Sequence, residues 1–302
     1  MMKKGAIISG ATGMVGIALT KYLLKNDYFV LLLIRKKSIK PKSIDVNNKN
    51  LMIVDCSLSD YATLQIHENF NVKFESFYHL AWAGTFGPNR DDANLQVKNV
   101  EYTLDAIRLA KQFGCKSFVG LGSQAEYGIR QDYISEEDKV NPSTCYGISK
   151  YTAGKLGAFE AKKNKIKFNW CRLFSAYGPY GLSQSVLNYV VSSLKNGISP
   201  KLGPCQQAWN YIHVDDVACC LFLVAQKGKD GDVYNIASDD QRTLKDYIET
   251  IHSQYHSEIE INYSNSCTVS FNLLVKTDKL KNELGFKPKH SFDKEILTCY
   301  DL

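Results

Sequence analysis

Apolar positions in the first half of the chain fall into short unbroken runs separated by stretches of helical period. Gly5 to Ser9, Tyr28 to Ile34, Leu51 to Val54, Phe77 to Ala81, Ser117 to Leu121 and Lys167 to Phe174 read as strands, apolar almost throughout. Between them, Met14 to Asn26 sets Val15, Leu19, Leu23 and Leu24 in a helical pattern, and Tyr61 to Asn69 is a weaker helical stretch. Val97 to Phe113 and Thr144 to Lys162 read as long helices. Strands without polar alternation, interleaved with helices, predict a parallel sheet covered on both faces.

The rhythm breaks after Phe174, where Gly178, Pro179 and Gly181 open an irregular region. Asp215 to Gln226 then reads as a helix, and Asp232 to Ala237 as a strand that returns to the sheet. Thr243 to Tyr255 and Thr277 to Leu284 are short helices around a polar strand, Glu258 to Tyr263. The pattern shows no repeat, low-complexity tract or linker. It predicts an α/β fold, a doubly wound parallel sheet formed by residues 1–175 plus about 211–240. A smaller, discontinuous C-terminal α/β lobe takes about 176–210 plus 241–302.

With 302 residues, 44% hydrophobic and 23% charged, the chain is long enough for a substantial core and unlike disordered or fibrous sequences. A net charge of +6 is mild, and only Arg35-Lys36-Lys37 and Lys162-Lys163 form basic runs. Nucleic acid is therefore not an expected partner, and the basic balance suits solubility or an anionic small molecule. The nine cysteines include no CxxC or His/Cys array, so no metal is expected and reduced thiols fit best. Glycines interrupt the apolar N-terminus, and Phe29 to Ile34 is too short to span a bilayer. The expected setting is cytoplasmic, without membrane contact.

The first chemical signal is Gly10-Ala11-Thr12-Gly13-Met14-Val15-Gly16, a GxxGxxG loop between the first strand and the first helix. Glycines there allow a tight turn and a close backbone approach, so that the helix N-terminus faces a pyrophosphate. The bland alternative is three turn glycines without a ligand; the position between strand and helix favours a Rossmann-type dinucleotide site. The second strand ends Leu33-Ile34-Arg35-Lys36-Lys37, without the acid that binds a ribose 2′-hydroxyl in an NAD site. Arg35 and Lys36 instead suit a 2′-phosphate, which points to NADP, although a basic run is also often a solvated loop. Asp55 and Cys56, just past the third strand, are placed at the adenine end, where an Asp also serves turns.

The second signal is Tyr146-Gly147-Ile148-Ser149-Lys150, a phenol and an ammonium four residues apart on one helical face. A free Tyr titrates near pH 10, and a nearby cation draws it toward working range. Ser123 closes the fifth strand, at the edge where open α/β sheets bind ligands, and its hydroxyl can bond a substrate oxygen. Tyr-x-x-x-Lys is a common accident among 18 tyrosines; its weight comes from following a nucleotide loop and a strand-end Ser.

Taken with His79-Leu80-Ala81, Asn99, Tyr127-Gly128, Arg172 to Pro179, Tyr211 to Asp216 and Leu284 to Pro288, these motifs cover nearly the whole chain. The chain resembles an extended short-chain dehydrogenase/reductase, of the branch of nucleotide-sugar epimerases, dehydratases and ketoreductases. The resemblance implies that Ser123, Tyr146 and Lys150 are catalytic. It implies that Leu80, Ala81, Trp82, Asn99, Phe174 and Ala176 join the loop glycines, Tyr146 and Lys150 in holding the cofactor. Ala83, Ser123, Gln124, Ala125, Tyr146, Ser175 and Trp209 would meet the sugar nucleotide. Family members also pair through the helices at Val97 to Phe113 and Thr144 to Lys162, implying a homodimer.

Two departures narrow the activity. Family dehydratases carry Asp-Glu directly after the strand-end Ser/Thr; here those positions are Gln124 and Ala125, which weighs against elimination of water. Glu126, one place on, reads as a structural or rim carboxylate. Trp209-Asn210 replaces the Arg-Asp of many relatives, leaving Lys201 or Arg242 as stand-ins for the diphosphate contact and Trp209 to stack on a base or pack in the core. The Gly122 to Gly128 segment resembles ketoreductases of bacterial deoxy-sugar biosynthesis. The expected activity is NADPH-dependent reduction of the C4 carbonyl of a dTDP-, CDP- or GDP-linked 4-keto-6-deoxyhexose. An NAD-dependent 4-epimerase and a non-enzymatic dinucleotide sensor stay open.

Overall fold

The computed structural model describes residues 2–36, 38, 43–65, 70–181, 185–255, 258–265 and 271–300. The chain begins β1 (Lys3–Ser9), α1 (Met14–Lys25), β2 (Phe29–Ile34), β3 (Leu51–Asp55) and β4 (Val72–His79). It continues α2 (Ala93–Gln112), β5 (Ser117–Ser123), α3 (Cys145–Asn164), β6 (Lys167–Leu173) and β7 (Ser175–Tyr177). Next come α4 (Val186–Lys195), β8 (Lys201–Leu202), β9 (Ala208–His213), α5 (Val214–Lys227) and β10 (Val233–Ile236). β11 (Gln241–Thr243), α6 (Leu244–Gln254), β12 (Asn262–Tyr263), α7 (Asp278–Leu284) and α8 (Phe292–Glu295) complete it.

Seven strands form one parallel sheet in the order β10-β6-β5-β4-β1-β2-β3. Successive side chains on each strand go to opposite faces. Ile8 and Leu32 join the core under α1 and α5, while their neighbours Ile7 and Leu31 join Phe77, Ile107 and Phe118 on the other face. Both faces are dry, which is why the strands read as unbroken apolar runs. The order reverses between β1 and β4, opening a crevice at the carboxyl ends of the strands.

After β6 the chain builds a three-stranded sheet, β11-β9-β7, and a two-stranded one, β12-β8. A separate core of Tyr177, Leu187, Val190, Tyr211, Tyr247 and Phe292 holds this region. The strand at Asp232 to Ala237 does return to the large sheet, as β10 beside β6.

The stretch after Phe174, read as irregular, carries β7, α4, β8 and β9, and three of the elements that the pattern named differ from expectation. In the stretch from Tyr61 to Asn69, residues 61–63 form a turn after a 3-10 segment, Leu58–Asp60, and 66–69 lie outside the described residues. Only Tyr61 is buried among 61–65, so no apolar face pins a helix. β4 starts at Val72, before Phe77, because Lys73, Glu75 and Ser76 broke its apolar run. Of the strand at Glu258 to Tyr263 only Asn262–Tyr263 pairs, since its partner β8 is cut short ahead of Gly203-Pro204.

Candidate active site

The turn after β1 is built for close approach. Gly10 has φ +76°, and a Cβ there would stand 2.6 Å from the Ala81 backbone N; one at Gly16 would stand 2.3 Å from Gly10 O. Gly13 caps α1 with no side-chain hydrogen bond, so nothing on the turn's own side chains occupies the helix N-terminus. In front of it lies a cleft of about 500 Å³ lined by Gly10 to Gly13, Leu33 to Arg35, Cys56, Tyr61 and Leu80 to Thr85. Thr12 is exposed beside it, Met14 is half-buried, and the Val15 side chain turns into the core, leaving its backbone to face the turn.

Arg35 forms part of the cleft wall and is exposed; Lys36 is exposed outside the lining, and Lys37 lies outside the described residues. Asp55 is exposed at the end of β3. The Cys56 thiol lines the cleft in neutral form, pushed up to about 12 by burial.

His79 binds the strand ends together. Its Nδ1 meets Ser9 Oγ at 2.9 Å and its Nε2 meets Thr103 Oγ1 of α2 at 3.3 Å. Burial lowers its pKa to about 3, so it stays neutral. Beyond it, Asn99 does not line the cleft. Its carboxamide accepts from Ala83 N at 2.8 Å and donates to Ala83 O at 3.0 Å, which fixes the loop carrying Leu80 to Ala83. Gln96, which the sequence pattern did not single out, is fully buried one turn earlier. It accepts from the Trp82 indole at 2.8 Å and donates to Gly84 O and Asn89 O. The available signal was a second amide three residues before Asn99 on the same helix.

The structure brings Ser123, Tyr146 and Lys150 together. Ser123, at the end of β5, caps the 3-10 turn Gln124–Tyr127 by accepting from Ala125 N at 3.2 Å, and its hydroxyl faces the Tyr146 phenol. Tyr146 starts α3, which Thr144 caps, and Gly147 lets the helix press on this turn: a Cβ there would lie 2.5 Å from Ala125 O. Burial raises the Tyr146 pKa; the Ser123 hydroxyl and the Arg90 guanidinium pull it back down, and Glu126 adds to the rise. Lys150 is 3% exposed, donates from Nζ to Leu121 O at 2.6 Å, and lies 3.7 Å from the Trp82 ring centroid. Burial lowers its pKa to about 7.

Glu126 is structural. It is wholly buried and accepts from Ser123 N at 2.9 Å, Trp170 Nε1 at 2.8 Å and Arg172 Nε at 2.8 Å. Gln124 and Ala125 are half-buried beside Ser123. Past β6, Phe174 packs with Tyr127 and Ala237, while Ser175 and Ala176 are half-buried on β7. The Trp209 ring packs against Phe271 at 5.8 Å and Tyr211 at 6.4 Å, with its indole N–H buried. Arg242, opposite Trp209 in the β11–β9 register, is bonded to Asp240 and Asp293; Lys201 is exposed on β8.

One further group gathers His213, His290 and Glu295, whose ligand atoms lie within 4.8 Å of one another. His213 Nδ1 accepts from Asp215 N at 3.2 Å, which leaves the ring proton on Nε2, facing Glu295 and Cys299 Sγ. The group is thus a hydrogen-bonded clamp between the start of α5 and the C-terminal segment.

A glycine turn at the switch point, with a buried Ser–Tyr–Lys group behind Trp82 of the cleft wall, is the arrangement of an extended short-chain dehydrogenase/reductase. The chain belongs to the NAD dependent epimerase/dehydratase family, which matches residues 6–237. It is 24% identical over 308 residues to the dTDP-4-dehydro-6-deoxyglucose reductase of Escherichia coli, across 97% of this chain and 96% of the relative. The fold is shared with the UDP-N-acetylglucosamine 4-epimerase of Methanobrevibacter ruminantium M1, solved with UDP-N-acetylmuramic acid. There the TM-score is 0.87 at 20% identity, covering 99% of this chain and 97% of the other. It is shared equally with the dTDP-glucose 4,6-dehydratase of Bacillus anthracis in complex with NAD, with a TM-score of 0.84 at 20% identity over 98% and 95% of the two chains.

Proposed function

We propose that the protein reduces the C4 carbonyl of a nucleotide-activated 4-keto-6-deoxyhexose (dTDP-, CDP- or GDP-linked) at the expense of NADPH, in deoxy-sugar or surface-polysaccharide biosynthesis. The observation that carries this reading is the setting of Ser123. Its neighbours Gln124 and Ala125 offer no acid or base, and Glu126 is consumed by Arg172, Trp170 and the Ser123 amide. Tyr146 is left as the proton donor beside Ser123, enough for reduction but not for loss of water. The E. coli relative named as a reductase supports the same choice.

The cleft fits a dinucleotide: the positions where Gly10 and Gly16 exclude a Cβ and the uncapped α1 terminus suit a pyrophosphate. Gly10, Thr12, Gly13, Met14, Val15 and Gly16 would hold that group, and Arg35 with Lys36 a 2′-phosphate. Asp55 and Cys56 would border the adenine, and Leu80, Ala81, Trp82, Phe174 and Ala176 the remaining length. The bound cofactor supplies the hydride. Ser123 and Tyr146 bond the carbonyl oxygen, and Tyr146 hands its phenolic proton to that oxygen as charge builds there. Lys150 would orient the ribose of the bound dinucleotide. Ala83, Gln124, Ala125 and Ser175 border the sugar; the packing of Trp209 gives it a supporting place behind that border.

Residues 1–175 with about 211–240 act in this reading as the cofactor domain, and about 176–210 with 241–302 as the substrate domain. A homodimer through α2 and α3 is supported by apolar side chains left in solvent on these helices: Val97, Ile148, Leu156 and the 75%-exposed Phe159. A cytoplasmic setting is supported by the free thiols of the described cysteines. Among the described residues no helix is long and apolar enough to cross a membrane.

The test is NADPH oxidation by the purified protein with dTDP-4-keto-6-deoxyglucose and its CDP and GDP counterparts. Turnover with one of them is expected. Co-purified NAD with UDP-glucose/UDP-galactose interconversion would make it an epimerase, and tight dinucleotide binding without any turnover a sensor.

A further inference from the structure

The loop between β4 and α2 reaches the tyrosine that the proposed reaction uses. Its 3-10 turn, Gly87–Arg90, ends with the Arg90 guanidinium 4.3 Å from the centroid of the Tyr146 ring. Nη1 of Arg90 donates to Thr85 O at 3.3 Å, and the next residue, Asp91, accepts from Cys145 N at 3.1 Å. The loop is therefore tied to the start of α3 on the residue before Tyr146. Arg90 has no carboxylate within salt-bridge distance among the described residues, so its charge is not spent elsewhere.

Lys150, the cation the motif supplies, is poorly placed to serve the phenol alone. Its Nζ lies 5.8 Å from the Tyr146 ring centroid, donates to Leu121 O, and sits over Trp82. Burial disfavours its charged form and lowers its pKa to about 7. A guanidinium keeps its charge at every working pH. The other groups facing Tyr146 are Ser123 from β5 and Glu126 from the following turn, and that carboxylate is already bonded to Arg172. A cation over an aromatic face is held more strongly as the ring gains negative charge.

We propose that Arg90 is a positioning residue for proton transfer: stacked on Tyr146, it fixes the ring and supplies the permanent cation that stabilises the phenolate left when the proton departs. This rests on the reading of Tyr146 as the proton donor. The contact also gives the loop that lines the cleft a direct hold on the reacting side chain.

The experiment compares Arg90→Met, which keeps length without charge, with Arg90→Lys, which keeps the charge. Tyrosinate absorbance is titrated in the full-length protein, and the same titration of Tyr146→Phe is subtracted to isolate Tyr146. In Arg90→Met the transition is expected to move up by about one pH unit, the size of a partly desolvated cation–π contact. Arg90→Lys should return most of that shift. In turnover, Arg90→Met should lower kcat by about tenfold and move its alkaline limb upward, with the KM for NADPH within about twofold. An unmoved tyrosinate transition, or equal behaviour of the Met and Lys variants, would overturn the proposal. The titration needs no sugar substrate, so it answers for Arg90 even where every keto-sugar fails to turn over.

Discussion

Glu126 and Arg172 form an ion pair of 2.8 Å in which neither side chain is more than 5% exposed. The same carboxylate holds the Ser123 amide and the Trp170 indole, so one buried charge sets the height of the strand-end serine. Glu126→Gln leaves the Arg172 cation buried and unpaired. The expected loss is about 3–5 kcal/mol of folding stability. Urea unfolding measures it, and a loss below about 1 kcal/mol would show that water or another group compensates Arg172. The double variant Glu126→Leu with Arg172→Met should recover part of the loss, because both charges leave together.

Tyr146→Phe removes a hydroxyl and nothing else from a fully packed helix start. The variant should fold and bind the dinucleotide as before while kcat drops by about a hundredfold or more, the usual worth of a positioned proton donor. Stopped turnover with unchanged cofactor binding, read by NADPH fluorescence titration, is the expected pair of results. Near-normal turnover would place the proton donor elsewhere.

Arg35 is the charged side chain of the cleft wall at the end of β2. Arg35→Ala should raise the KM for NADPH by about tenfold, the worth of a charge-assisted bond to phosphate, and that for NADH by less than about twofold. Equal effects on both cofactors would remove the 2′-phosphate from the role of this residue.

His79 makes stability depend on pH in a stated direction. Burial depresses its folded pKa to about 3, below the ordinary imidazole value of 6.5, so protonation favours the unfolded chain. Its contribution is complete above pH 6.5 and is lost as the pH falls from there toward 3, at up to about 1.4 kcal/mol per pH unit. Urea midpoints measured between those limits should fall less steeply in His79→Gln than in the parent chain. Parallel slopes would mean that another group carries the acid sensitivity.

The sheet was legible because its inner strands are buried on both faces, so β1, β2 and β6 had to be apolar at successive positions. β4 was legible only in its second half: Lys73 and Glu75 lie at the sheet's end, where side chains reach water. The stretch beginning at Tyr61 has helical spacing but only one buried residue among 61–65, and no packing holds it as a helix. The glycine turn and the Tyr146–Lys150 pair are local, each within a single turn or helix, and local spacing carries their geometry.

The sequence by itself determined the parallel sheet, the glycine turn after its first strand and the placing of Tyr146 and Lys150 on one helical face. These follow from periodicity and from residues a few positions apart. Tertiary structure alone decided what surrounds them. Gln96 fastens Trp82, Asn99 holds the backbone of Ala83, Arg172 neutralises Glu126 from 46 residues away, and Arg90 lies over the Tyr146 ring. It also decided the lowered pKa of Lys150, since that shift comes from burial, and burial belongs to the assembled fold rather than to any stretch of chain.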